Sequence, residues 1–221
     1  MEASPTQKLI LKSGKRMFLK RGFKSAPLRS IVKEAGYTLG AFYGYYKSKE
    51  ELFYALTDEV AKGFKNLIES VNKEVVQLPP ERMIFEMMDL YLNKLPEITD
   101  YIYAHKDEML LLIKCSAGTK YEGFFATFSE RNKELIKTGV ERAKAAGVRI
   151  HGLETDTFEL LMRSYSEIMA NIIIEGRDKK QILRMMKEVG AVYRNGMLSL
   201  MEEREKLEAV QSIPCCEIAE F

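Results

Sequence analysis

The sequence predicts an all-α fold: an N-terminal three-helix helix-turn-helix head joined by a long helix to a helical-bundle body. Three observations predict it. Apolar residues recur at steps of three and four through most of the 221 residues, and no sustained period-two alternation argues for a sheet. Capping residues and glycines punctuate the chain at helical intervals. The charge divides by position: residues 1–50 hold eleven Lys/Arg against three acids, a net +8 that leaves −6 for the rest of the chain.

Each element follows from its own residues. The first helix, Thr6 to about Lys20, turns Ile10, Gly14, Met17 and Phe18 inward, and Gly22 ends it. A second, short helix starts near Pro27, whose fixed φ suits a first turn. Leu28, Ile31, Val32 and Ala35 form its inner face, and Gly36 closes it. Thr38 caps a third short helix through about Tyr45. Ser48-Lys49-Glu50-Glu51 is a capping box that opens a fourth helix to about Gln77. Leu52, Phe53, Leu56, Val60, Phe64, Leu67 and Val71 lie on one face of it. At about 1.5 Å per residue this helix spans about 45 Å, enough to tie a head to a separate body.

The body reads as more helix. One runs from Pro80 to Asn93, and Pro96 breaks the chain. Short helices near Pro96–Tyr103 and Lys106–Ser116 lead to a turn at Ser116-Ala117-Gly118-Thr119. A long helix runs from about Tyr121 to Ala146, and a loop from Val148 to Glu154 follows. Thr155 opens a helix to Glu175. A second capping box, Asp178-Lys179-Lys180-Gln181, opens the last, to about Leu207. The expected domains are a helix-turn-helix head over 1–47, a helical body over 48–209, and a flexible tail over 210–221.

Composition narrows the classes. No run of about 18 apolar residues is present, so no membrane span is expected. Met1 to Ile10 lacks the apolar core of a signal peptide, which makes the cytoplasm the expected location. Cys115, Cys215 and Cys216 form no CxxC or Cys/His spacing. No disulfide, metal or other cofactor is expected.

Helices two and three are joined by Ala35-Gly36-Tyr37-Thr38, the short glycine-containing turn of a helix-turn-helix. In that geometry the second helix enters the major groove of double-stranded DNA, and the basic head agrees with such a polyanion. The strings Gly22-Phe23, Arg29-Ser30-Ile31, Ala35-Gly36, Gly40-Ala41-Phe42-Tyr43 and Lys47-Ser48-Lys49-Glu50-Glu51-Leu52 resemble the signature of TetR-family transcriptional regulators. The resemblance covers the first quarter of the chain. It departs at Ala26-Pro27, where the family often has Thr-Ser, at Tyr37 in place of a small aliphatic residue, and at Tyr45 in place of the usual His.

The resemblance implies that Tyr43, Tyr45 and Lys49 hold phosphates, with Ser25 standing in for the missing hydroxyl. It implies that Thr38, Leu39 and Gly44 face base edges, that Gly40 allows close approach to the duplex, and that Phe42 packs inward. It further implies a ligand-responsive regulator, a repressor that binds a palindromic operator as a homodimer and answers to a small-molecule effector.

Met87, Tyr91, Tyr103, His105, Cys115, Phe124, Phe125, Phe128 and Tyr165 are the candidates for lining an adaptable effector cavity. Broad apolar stripes on the last two helices, among them Leu161, Ile168, Met185, Val189 and Val192, suit either a core or a dimer seam. Two other readings stand beside this one. The chain could be a helical protein-interaction module with a basic head, or a small helical enzyme using His105 or Cys115. No oxyanion site or complete nucleophile–base–acid set is recognisable around either residue, so the expectation is not an enzyme.

Overall fold

The computed structural model describes residues 4–147 and 155–202. The loop expected at Val148–Glu154, the end of the last helix at Leu207 and the tail over 210–221 lie outside the described residues. Among the described residues there are nine α-helices and no strand.

The head is built on local signals. Ser4 caps α1 (Pro5–Ser25) by accepting the Gln7 N–H at 3.2 Å. Gly22, at φ +73°, interrupts α1 where the sequence places a breaker, and one further turn carries the chain to Ser25. α2 (Leu28–Glu34) starts after Pro27 with no side-chain cap. It ends in a Schellman turn: Tyr37 N–H donates to the Val32 carbonyl and Gly36 N–H to that of Lys33, both at 3.1 Å. That turn needs the φ of +82° that Gly36 adopts. Thr38 caps α3 (Leu39–Tyr43) by accepting the Ala41 N–H at 3.3 Å. Ser48 caps α4 (Lys49–Gln77) by accepting the Glu51 N–H, while the Glu51 carboxylate accepts from Lys47 N–H.

These pieces close over one core. Ile10, Phe18, Phe42, Leu52 and Phe53 are fully buried in it, and Phe18, Phe23 and Phe53 meet at ring distances of 5.3–5.8 Å. α1 crosses α4 closely at Gly14, where an added Cβ would stand 2.9 Å from Leu52 Cδ2. Full burial of each such side chain stabilises by about 1.5–3 kcal/mol.

The body contains α5 (Pro80–Ala104), α6 (Lys106–Lys114), α7 (Ala126–Ala145), α8 (Thr155–Glu175) and α9 (Lys179–Glu202). α5 is its hub and packs on α4, α7 and α9. α6 touches α1, α4 and α8, so it joins the two halves of the molecule. The second capping box forms as expected, with Gln181 N–H donating to Asp178 at 2.8 Å and Arg177 N–H to Gln181 at 2.9 Å.

Two elements differ from the sequence reading. Pro96 does not break the chain: α5 runs through it. Pro96 is on the solvent side while Leu95, Ile98 and Ile102 are buried, so the hydrogen bond that proline removes lies on the wet face and packing holds the dry one. α7 begins at Ala126, not Tyr121. Residues 117–125 form successive turns with Gly118 and Gly123 at φ +85° and +71°, which a continuous helix cannot hold.

Candidate nucleic-acid interface

The outer surface of the head is set by the phase of α3. Phe42 faces inward and is fully buried, on Tyr43 at 5.3 Å and Tyr46 at 5.6 Å. A helix of five residues has little other inward surface, so its remaining side chains point out. Thr38, Gly40 and Gly44 are exposed, Tyr43 is 57% exposed and Tyr45 40%. Leu39 differs: it is half-buried and packs against the head core. Ser25 is exposed near the end of α1. Lys12, Lys20, Arg21, Arg29, Lys33 and Lys47 are exposed on the head. Arg16 is paired with Glu34 and Lys15 with Glu108.

Lys49, which the resemblance implies as a phosphate contact, has partners within the head itself. Its ammonium donates to the carbonyls of Phe23 at 2.8 Å, Ala26 at 3.1 Å and Lys24 at 3.4 Å, and lies 4.4 Å from the centre of the Phe23 ring. Three carbonyl acceptors match the three donors of an ammonium. Lys49 therefore caps the broken end of α1, where the last carbonyls and the negative helix pole favour a cation.

The effector candidates divide into two sets. Phe124, Phe125 and Phe128 surround Phe64 at ring distances of 5.4–6.1 Å. Met87 is buried with Met83, Met88, Met162 and Met197, and Tyr91 packs beside them. Tyr165 contacts both clusters and lies 4.9 Å from Tyr193. Burial pushes the Tyr165 phenol up to about 12 and raises that of Tyr91 as well. The Tyr91 hydroxyl meets the side-chain oxygens of Asn72 and Asn132, the latter at 3.2 Å. Asn72 also borders a cleft of about 580 Å³ between α4 and α7, with Lys73, Arg131 and Thr138 on its rim.

Tyr103, His105 and Cys115 lie apart from that cluster. Tyr103 is exposed, and His105 sits at the joint of α5 and α6, 4.7 Å from the Tyr101 ring. Cys115 is buried in the head core, where burial raises its thiol pKa. His105 and Cys115 flank opposite ends of α6, about 13 Å of helix, so they form no nucleophile pair. Neither Asn72 nor Asn132 was among the sequence candidates. Asn72 carried a signal: it is the polar member of the buried series Ile68, Asn72, Val75 on α4.

The fold and the head define a helix-turn-helix protein with a helical-bundle body. Residues 10–56 match the family of bacterial regulatory proteins, tetR family. The match covers the head and the first turns of α4. The uncharacterized HTH-type transcriptional regulator YdgC of Bacillus subtilis is 38% identical over 66 residues, 30% of this chain and 34% of that protein. The HTH-type transcriptional regulator TtgR of Pseudomonas putida is 34% identical over 73 residues, 33% of this chain and 35% of that protein. The matched stretches span about a third of the length of these curated relatives. A TetR-like transcriptional regulator from Rhodococcus sp. RHA1 shares the fold over 89% of this chain and 99% of that one, at a TM-score of 0.52 and 16% identity. No helix among the described residues is long and apolar enough to cross a membrane.

Proposed function

We propose that this protein is a cytoplasmic, ligand-responsive transcriptional regulator that binds a palindromic operator as a homodimer and represses transcription. The observation that carries the reading is the exposed face of α3: Thr38, Gly40 and Tyr43 stand outward on a head of net charge +8. Phosphate contacts through Tyr43, Tyr45 and the exposed Lys/Arg side chains supply salt-sensitive affinity. Thr38, Gly44 and the close approach that Gly40 permits supply base readout, with DNA shape adding to it. Lys49 supports the interface indirectly, by holding the end of α1.

Two heads on successive major grooves stand about 34 Å apart, which requires a dimer. The partly uncovered α9 face of Met185, Val189, Val192 and Gly196 supports α8 and α9 as its seam. The small-molecule effector enters the aromatic and methionine clusters that meet at Tyr165, and α6 passes the change to the head. Selection of bound sequences from random duplex DNA by the full chain tests the reading. A palindrome with half-sites one helical turn apart is expected, and no enrichment over random duplex overturns it.

A further inference from the structure

The first turn of α1 is tied to the helix-turn-helix by two hydroxyl contacts far apart in sequence. Ser4 Oγ–H donates to the Tyr45 hydroxyl oxygen at 3.0 Å, and Thr6 Oγ1–H donates to that of Tyr37 at 3.2 Å. Ser4 Oγ in turn accepts the Gln7 N–H at 3.2 Å. The donors therefore run in one direction, from the Gln7 amide through the Ser4 hydroxyl to Tyr45. A phenol has one proton to give. Because its oxygen already accepts from Ser4, the Tyr45 proton points away from that bond. No acceptor for it is found among the described residues, and Tyr45 is 40% exposed. Hydrogen bonds in series polarise one another, so the terminal O–H is a better donor than an isolated phenol. The ligand such a group suits is an acceptor-only anion.

We propose that Ser4 is a positioning residue for DNA binding: it orients the Tyr45 hydroxyl outward as a donor to a backbone phosphate, with Thr6 bracing Tyr37 beside it. The inference rests on the reading of the chain as a DNA-binding protein. Tyr45 touches the phosphate, and Ser4 acts through Tyr45.

Ser4 also caps α1, so the experiment separates the two roles. Glycine at an N-cap retains most of the capping effect but has no hydroxyl, and threonine retains both. Full-length parent, Ser4→Gly, Ser4→Thr, Tyr45→Phe and the Ser4→Gly/Tyr45→Phe double variant are compared. Each is titrated into a mixed-sequence duplex at low salt, and its melting temperature is measured without DNA. Ser4→Gly and Tyr45→Phe are each expected to weaken binding about tenfold to a hundredfold, the loss of one hydrogen bond to a charged group. The double variant binds no worse than Tyr45→Phe alone, Ser4→Thr binds like the parent, and Ser4→Gly melts close to the parent. Binding of Ser4→Gly equal to the parent, or losses that simply add in the double variant, overturns the positioning role. A parent that binds no duplex overturns the DNA-binding reading itself, an outcome distinguished by the failure of the unaltered protein.

Discussion

The backbone N–H of Phe23, at the end of α1, donates to the carbonyl of Cys115, at the end of α6, over 2.9 Å. The same two helices share a core, since Leu111 of α6 and Cys115 just after it are buried among Phe18, Phe23 and Phe53. Lys15 on α1 is ion-paired with Glu108 on α6. Gly118, just beyond α6, lies so close to Lys24 that an added Cβ would stand 2.7 Å from its Cε. Head and body therefore meet along a packed boundary, with α6 lying against both α1 and α4.

Leu111→Ala tests that boundary. Leu111 is fully buried, so the truncation is expected to cost about 2–5 kcal/mol of stability in urea unfolding, counting the cavity it leaves. Binding to duplex DNA should weaken too, though the residue is on a body helix. Unchanged affinity in the folded variant would show that head and α6 move independently.

Lys49→Ala is expected to lower stability by about 1–2 kcal/mol, because three carbonyls at the end of α1 lose a charged donor. The slope of log affinity against log salt should stay as in the parent. A slope lower by about one, the signature of a lost phosphate contact, would return Lys49 to the interface.

The helices were legible where their signals are local. Thr38, Ser48 with Glu51, and Asp178 with Gln181 each cap within four residues, and each forms the bonds its spacing predicts. The inward phase of Ile10, Gly14, Met17 and Phe18 is equally a matter of one helix. Long-range partners were not legible. The acceptors of Lys49 lie on a segment more than twenty residues earlier, and they are presented to it only because α1 breaks at Gly22. Cys115 looked like a body residue, and only the docking of α6 on α1 places it in the head core. Pro96 was misread because the side of a helix that faces water decides whether proline is tolerated, and that side is set by α4, α7 and α9.

Gly63 lies under the Tyr101 ring, and an added Cβ would overlap the Tyr101 hydroxyl, which donates to the Val60 carbonyl at 3.0 Å. Gly63→Ala is expected to destabilise by about 1–3 kcal/mol through overpacking of α5 on α4. Tyr101→Phe in the same chain removes the atom that clashes most and should recover part of the loss. Equal melting temperatures for Gly63→Ala and the parent would contradict the close crossing.

Asp89 on α5 and Arg194 on α9 form a two-pronged pair, one prong at 2.8 Å. Its hydrogen bonds and charge hold the Asp89 carboxyl below the ordinary value of 3.8. The folded pKa is thus lower than the unfolded one. The stabilisation is complete above pH 3.8 and is lost as pH falls through the folded value. Both side chains are partly exposed, so the effect is small. The stability gap between the parent and Asp89→Asn should be constant near neutral pH and shrink in acid, as urea titrations across that range would read. A gap that widens in acid would have the wrong sign for this pair.

Among the described residues Val192 is the most exposed of the large hydrophobic side chains, at 70%, on the α9 face that also carries Met185 and Val189. Gly196, one turn further on, has open space where its Cβ would be. Those positions follow the three- and four-residue steps along which two helices pack. An apolar ridge left in water is unfavourable, and in the proposed homodimer a second copy of the same ridge would cover it under two-fold symmetry. Val192→Glu places like charges across that axis. Sedimentation is expected to show a dimer for the parent and a monomer for the variant at equal concentration, with melting of the monomer itself little changed because the site is already exposed. Operator binding should fall more steeply than any single head contact explains, since one head then binds without its partner. A variant that stays dimeric moves the seam away from this face of α9.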